Sequence, residues 1–162
     1  MNNLYFYGHT NKSGPKKVLS NWYPACFKDH EGIVYHNTEQ YMMAEKAKLF
    51  KDDIMREIIL KNPDPKHAKE LGRRVKNFDQ EVWDLNAKKI VTLGCYYKFS
   101  QNDDLKLYLL STKNRYLVEA SKWDKIWGIG ISLLEAKRGD KWRGTNWLGE
   151  CLMEVRKILS KK

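Results

Sequence analysis

A carboxylate and an amine seven positions apart, Glu39 and Lys46, lie within the segment TEQYMMAEKAKLF at residues 38–50. With about 100° of turn per residue, a helix here brings Met42, Met43, Leu49 and Phe50 onto one broad arc and sets both charges in the middle of it. Gln40, Glu45 and Lys48 fall elsewhere. Two turns, roughly 10 Å along the axis, separate the pair, which is far for a direct ion pair and suited to bracketing a ligand. The helix alone leaves a second reading open: Lys46 lays its stem on apolar surface with its amine in water, and Glu39 pairs with a distant cation.

Three other places concentrate polar chemistry. Ser20 and Asn21 stand beside Trp22 in the turn LSNWYP, where an Asn either satisfies its own backbone or meets a ligand. Gly72-Arg73-Arg74 ends a short helix; basic groups there complement the helix dipole, and a guanidinium is also a natural clamp for phosphate. The third is EASKWDKIWGIG at 119–130 together with RGTN at 143–146. Glycines around Trp127, Gly128 among them, permit close backbone approach to a flat ligand, and the amides at a Gly-Thr-Asn helix start suit a phosphate. Asp124 is a candidate acid or base. A solvated turn carboxylate and a core tryptophan are the plain alternatives for Asp124 and Trp127.

The elements that must position these groups follow from periodicity and caps. Residues 4–7 read as a short strand, and HTNKSGPKK after them as a polar loop. Residues 26–36 read as a hairpin around Asp29-His30-Glu31-Gly32, and Asn37 or Thr38 caps the opening helix. A second helix runs over about 53–61. Asp64 as cap with Pro65 in the first helical position starts a third, through Arg73 or Arg74. Asp79 caps the longest helix, whose stripe Trp83, Ala87, Ile90, Gly94, Tyr97 reads as core. A short helix at about 103–110 follows Asn102, and residues 116–121 alternate as a strand. Residues 122–149 read as a structured loop, and 147–159 as a closing helix capped by Asn146. The sum is one helix-rich α+β domain over 1–162 with a few short strands.

Composition bounds the rest. At 162 residues the chain buries a real core without disulfides or metal, and nothing in it resembles a secretory signal or a membrane span. Cys26, Cys95 and Cys151 are odd in number and form no Cys-x-x-Cys pair, which fits buried thiols in the reducing cytoplasm. His9, His30, His36 and His67 have no metal-ligand spacing, so neither a metal nor another cofactor is expected. A formal charge of +10 attracts phosphates, of nucleic acid or of a phosphorylated small molecule. Its basic clusters are short, at 12–17, 73–76 and 157–162, and part of the excess serves solubility. Six Trp and nine Tyr supply rings for a core and for stacking on bases.

Seven motifs occur in a familiar order: LSNW at 19–22, TEQYMMAEK at 38–46, Gly72-Arg73, Lys98-Phe99, Leu117-Val118-Glu119, DKIWGIG at 124–130 and GTNWLGECLMEVR at 144–156. In this series the chain resembles the YbiA-like N-glycosidases, also called the NADAR family, over nearly its whole length. The family pattern S/T-E-H-Y-x-Q-A-x-K is met at Glu39, Tyr41, Ala44 and Lys46. Gln40 stands in place of its His, Met43 in place of its Gln, and Ile129 where many relatives carry an acidic residue.

The resemblance implies cleavage of N-glycosidic bonds, in early riboflavin-pathway ribosylamino-pyrimidines or in ADP-ribose attached to guanine. It makes Lys46 the nucleophile at the anomeric carbon, forming a Schiff base with the opened sugar that water then hydrolyses. Desolvation on an apolar face fits that role, since it lowers the amine's pKa and frees a nucleophilic fraction near neutrality. Glu39 would shuttle protons and Asp124 would orient sugar hydroxyls or assist the leaving base. Asn21, Trp22, Tyr41, Arg73, Trp127, Gly128 and Asn146 would bind substrate. Charge and aromatic content favour ADP-ribosylated guanine in DNA or RNA over a free pyrimidine. The competing class is a non-catalytic module that binds ADP-ribose or NAD with the same groups, and a basic nucleic-acid adaptor is a third.

Overall fold

In the computed structural model, which describes residues 2–161, Asn37 opens helix α1 (Thr38–Leu49) by accepting the amide of Gln40 on its side chain. The chain forms two units, one of residues 21–102 and one joining the segment before it to the segment after it. Met1 and Lys162, the last of the C-terminal basic cluster, lie outside the described residues.

In the first unit α1 packs against α2 (Asp53–Leu60), α3 (Pro65–Gly72) and α4 (Gln80–Ser100). Its buried residues run from Thr38 to Ala44 without a break and resume at Ala47. The expectation of an amphipathic helix is thus corrected: α1 is enclosed on nearly all sides, because three helices surround it. Local chemistry sets the neighbours. Asp52, Asp64 and Asp79 each accept an amide three residues on, from Met55, His67 and Val82, and so start α2, α3 and α4. Asp29 builds the hairpin between β2 (Phe27–Lys28) and β3 (Val34–Tyr35), accepting from Glu31 N, Ile33 N and the Tyr35 hydroxyl.

Two of the departures from the family pattern are structural in this unit. Gln40 is fully buried; its Oε1 accepts from His36 N, and its Nε2 donates to the carbonyls of Ile59, Leu60 and Asn62 at the end of α2. Met43 fills the space where Gly72 has no Cβ, so α1 and α3 approach closely.

In the second unit β1 (Asn3–Phe6) pairs in parallel with β4 (Tyr116–Glu119), Asn3 opposite Tyr116 and Phe6 opposite Glu119. The polar loop expected after β1 is instead a 3₁₀ segment, Asn11–Leu19, broken where Gly14 takes φ 63° ahead of Pro15. Helices α5 (Asp103–Ser111) and α7 (Trp147–Leu159) pack together, and α7 also packs on β4. A further correction lies inside the expected loop: α6 (Leu133–Arg138) forms there, with Ser132 and Glu135 in a reciprocal capping box and Gly139 closing it at φ 91°. Ile129, Ile131 and Ala136 bury against Val118 and Ala120, so the position after Trp127-Gly128 belongs to the core. Among the described residues no helix is long and apolar enough to cross a membrane.

Candidate active site

The chemistry of the first unit gathers around Lys46. Its amine is half-buried, with the nitrogen 4.5 Å from the centre of the Phe78 ring and 5.5 Å from that of Trp83. Burial holds its pKa below the usual lysine range; the Glu39 carboxylate pulls it back up and the Arg73 guanidinium pushes it down. Two other sequence-nominated residues, Glu39 and Arg73, therefore act on Lys46 here. Glu39 is buried at 5% exposure in the first turn of α1, whereas Arg73 is exposed at the C-terminal end of α3.

Asn21 fixes the start of this helix. Its carbonyl accepts the Glu39 amide at 3.0 Å, and its buried side chain lies 4.0 Å from the Cys95 thiol. Trp22 follows it, half-buried. Tyr41 has the surroundings of a core residue: its ring is enclosed by Phe27, Tyr35 and Tyr97 at 5.9, 4.9 and 6.0 Å, and a Cβ at Gly94 would collide with it. Burial, followed by the charge of Glu45, raises the Tyr41 pKa and keeps the phenol neutral.

Spacing alone did not reveal Phe78 and Trp83 as neighbours of the amine. Trp83 reads from the sequence as a core stripe position, yet it is half-buried and faces Lys46. The 73–79 segment that carries Phe78 is pinned by Asp52, whose Oδ2 accepts Lys76 N at 2.8 Å.

The second unit treats its candidates differently. Asp124 Oδ1 accepts the amides of Ile126 and Trp127 at 2.9 and 2.8 Å, forming a turn. Asn146, at φ 56°, does not cap α7 with its side chain; Nδ2 donates to Leu117 O and Oδ1 accepts from Glu119 N, clamping β4. The amides expected to await a phosphate are already committed. Those of Thr145, Asn146, Trp147 and Leu148 donate to the carbonyls of Lys125, Gly128, Ile126 and Trp127. Gly144 permits its segment to approach the backbone of Lys125, Gly128 and Ile129 closely, and Gly128 is packed against Glu119, Ser121 and Asp124, where the sequence reading places a flat ligand. Trp127 is half-buried, edge-on to Trp147 at 5.6 Å.

The fold is helix-rich α+β, and the first unit presents an amine between a carboxylate, a guanidinium and two rings. Residues 5–160 match the NADAR domain. An N-glycosidase of Acanthamoeba polyphaga mimivirus is 42% identical over 159 residues, covering 94% of each chain. A riboflavin biosynthesis protein of Vibrio vulnificus is 31% identical over 156 residues, which are 96% of this chain and 38% of that protein. The NMR structure of YbiA from E. coli superposes with a TM-score of 0.79 at 26% identity, covering 99% of this chain and 88% of that one. This chain belongs to the NADAR family. It is a hydrolase acting on N-glycosyl bonds.

Proposed function

We propose that the enzyme cleaves the N-glycosidic bond of an ADP-ribosyl or phosphoribosyl substrate through Lys46. The neutral amine attacks the anomeric carbon, and the bond to the base breaks with its electron pair on the base nitrogen, which takes up a proton. The bonded nitrogen gives up a proton, and the sugar ring then opens, O4′ accepting a proton, and leaves an iminium on the lysine nitrogen. Water adds to it and releases the sugar as its aldehyde with the free amine restored. Glu39 delivers and recovers the protons, and Arg73 holds a phosphate. The resemblance also nominates Asp124 for orienting substrate hydroxyls; in the second unit its Oδ1 holds a turn.

The observation that carries the reading is the half-buried amine whose pKa is lowered by burial and tuned in opposite directions by Glu39 and Arg73. Exposed Arg74 and Lys76 beside Arg73, with the net charge of +10, favour a polyanion, ADP-ribosylated guanine in DNA or RNA. The name of the Vibrio relative favours a second reading, a riboflavin-pathway ribosylamino-pyrimidine phosphate.

One experiment addresses both. The protein is incubated with ADP-ribosylated guanosine, ADP-ribosylated DNA and a ribosylamino-pyrimidine phosphate, and products are identified by mass. Borohydride is expected to trap sugar on Lys46, and a Lys46→Ala variant cleaving at the parent rate overturns the mechanism. Turnover that falls steeply with salt supports nucleic acid; salt-insensitive turnover of the free nucleotide supports the pyrimidine.

A further inference from the structure

We propose that Phe78 and Trp83 stabilise the positive charge that develops during the reaction, on the sugar as the base departs and on the lysine nitrogen in the iminium. The inference rests on the reading of Lys46 as nucleophile. An aromatic face is electrically negative, and a cation within about 6 Å of its centre is attracted to it, most strongly where water is excluded. Both rings already meet that condition for the resting ammonium, at 4.5 and 5.5 Å.

The rings are also held in place. Phe50, buried beneath, meets Phe78 edge-on at 5.3 Å. Asn77 precedes Phe78 at φ 58°, a left-handed turn of the chain that Asn tolerates better than most residues. Two residues before Phe78, Lys76 N is tied to Asp52; one residue after it, Asp79 caps α4 through Val82 N. Trp83 N donates to Asp79 O at 3.0 Å, so one cap sets both rings. Phe78 keeps 42% of its surface exposed, which a ring serving only to fill the core would not do.

Charge follows the electrons through the steps. As the bond to the base lengthens and its pair moves to the base nitrogen, C1′ and O4′ share a positive charge. Lys46 closes on C1′ with its lone pair. Nζ, cationic once bonded to C1′, gives up a proton; when the C1′–O4′ bond then breaks and O4′ takes up a proton, the charge resides on C1′=Nζ. That nitrogen is the atom already over the two rings. The rings also favour the ammonium, so they oppose the effect of burial on its pKa; Glu39 on α1 acts in the same sense and Arg73 at the end of α3 in the opposite one. Removing a ring therefore has two effects of different sign. The cationic intermediate becomes harder to form, and the amine loses its proton at lower pH.

The probe is ribose 5-phosphate, whose open-chain aldehyde condenses with an amine to an iminium and water. The rate of the Lys46 adduct with cyanoborohydride is measured by peptide mass across pH, in the parent, in Phe78→Leu and in Trp83→Leu. Each Leu variant is expected to slow the high-pH plateau between about twofold and about thirtyfold and to move the acid limb to lower pH. A merely structural loss slows the plateau without that move. A series with one, two or three fluorines on the Phe78 ring keeps the fold and weakens the ring face stepwise, and the plateau should fall in step. Equal plateaus and equal acid limbs in parent and Phe78→Leu, or a flat fluorine series, overturn the inference alone. No Lys46 adduct in the parent overturns the nucleophile reading and this one together.

Discussion

The two units of this chain use the same kinds of residue to opposite ends. In residues 21–102, Glu39 and Arg73 stand within electrostatic reach of Lys46, which also has aromatic rings for neighbours. In the other unit Asp124, Asn146 and four amides of the 145–148 segment are committed to main chain. A polar residue bound to its own backbone stabilises structure; an amine held in low dielectric with its pKa displaced is fit for chemistry. Under the proposed function, motifs of similar specificity in sequence divide into a reacting set and a scaffolding set.

Substitutions that separate activity from stability test this division, and the largest effect belongs to the reacting set. Lys46→Ala should lose at least about a thousandfold in kcat/KM while its thermal midpoint stays near the parent's, since the change removes a costly buried amine. Glu39→Gln should lose about a hundredfold or more, the scale of a lost proton carrier. Steady-state rates and calorimetry on the same samples check both. A Lys46→Ala protein that is active, or one that is unfolded, breaks the comparison.

A pair of glycines gives the next effect, now in stability. A Cβ at Gly144 would strike the backbone of Gly128, Lys125 and Ile129, which cannot yield, whereas one at Gly72 would meet the flexible end of Met43. Gly144→Ala should therefore cost about 1–3 kcal/mol or more through overpacking, and Gly72→Ala distinctly less. Chemical denaturation of the two variants side by side measures the difference. Equal losses would show that the close approach of the 124–130 and 143–146 segments is not what holds the second unit.

What could be read from the sequence divides along the same line. Caps are local, so Asp64 with Pro65, and Asp79, announced α3 and α4 correctly. The Glu39 and Lys46 pairing on one helix was legible from spacing, as was the α+β class. Contacts between elements were not. Trp83 satisfies a three-and-four repeat, and nothing in a repeat says that its ring meets an amine on another helix. Ser132 and Glu135 form a readable capping box, but the helix they start is six residues long and lies among glycines and tryptophans that favour a loop reading. Asn146 stands where a cap belongs, and its clamp on β4 depends on a partner strand some thirty positions earlier.

That clamp yields a smaller and more local effect. Asn146→Ala leaves the buried Leu117 carbonyl and the Glu119 amide without their partners, at about 1–3 kcal/mol. Asn146→Gly relieves the left-handed backbone yet loses the same bonds, so it should recover a small part of the loss. Hydrogen exchange should quicken at Glu119 N in both variants. If exchange there is unchanged, the side chain does not hold β4 and is released for the substrate-binding role that the family resemblance gives it.

The smallest expected effect is a pH dependence confined to the first unit. Asp52 takes two main-chain amides, Lys76 N first in strength and then Met55 N, and these hold its carboxyl below the usual carboxylate range. A depressed carboxyl contributes stability that is fully present above its unfolded value, about pH 3.9, and is lost as pH falls through the folded value. The 73–79 segment, with Arg73 and Phe78 on it, should accordingly loosen only below about pH 4, well under the range in which Lys46 titrates. Fluorescence of fluorinated Phe78 is too weak to follow this, but its fluorine resonance is not; broadening of that resonance below pH 4 in the parent, and acid-independent broadening in Asp52→Ala, is the expected pattern. A sharp resonance in Asp52→Ala at neutral pH would mean that Phe50 and the cap at Asp79 suffice to hold the ring, and that Asp52 serves only the start of α2.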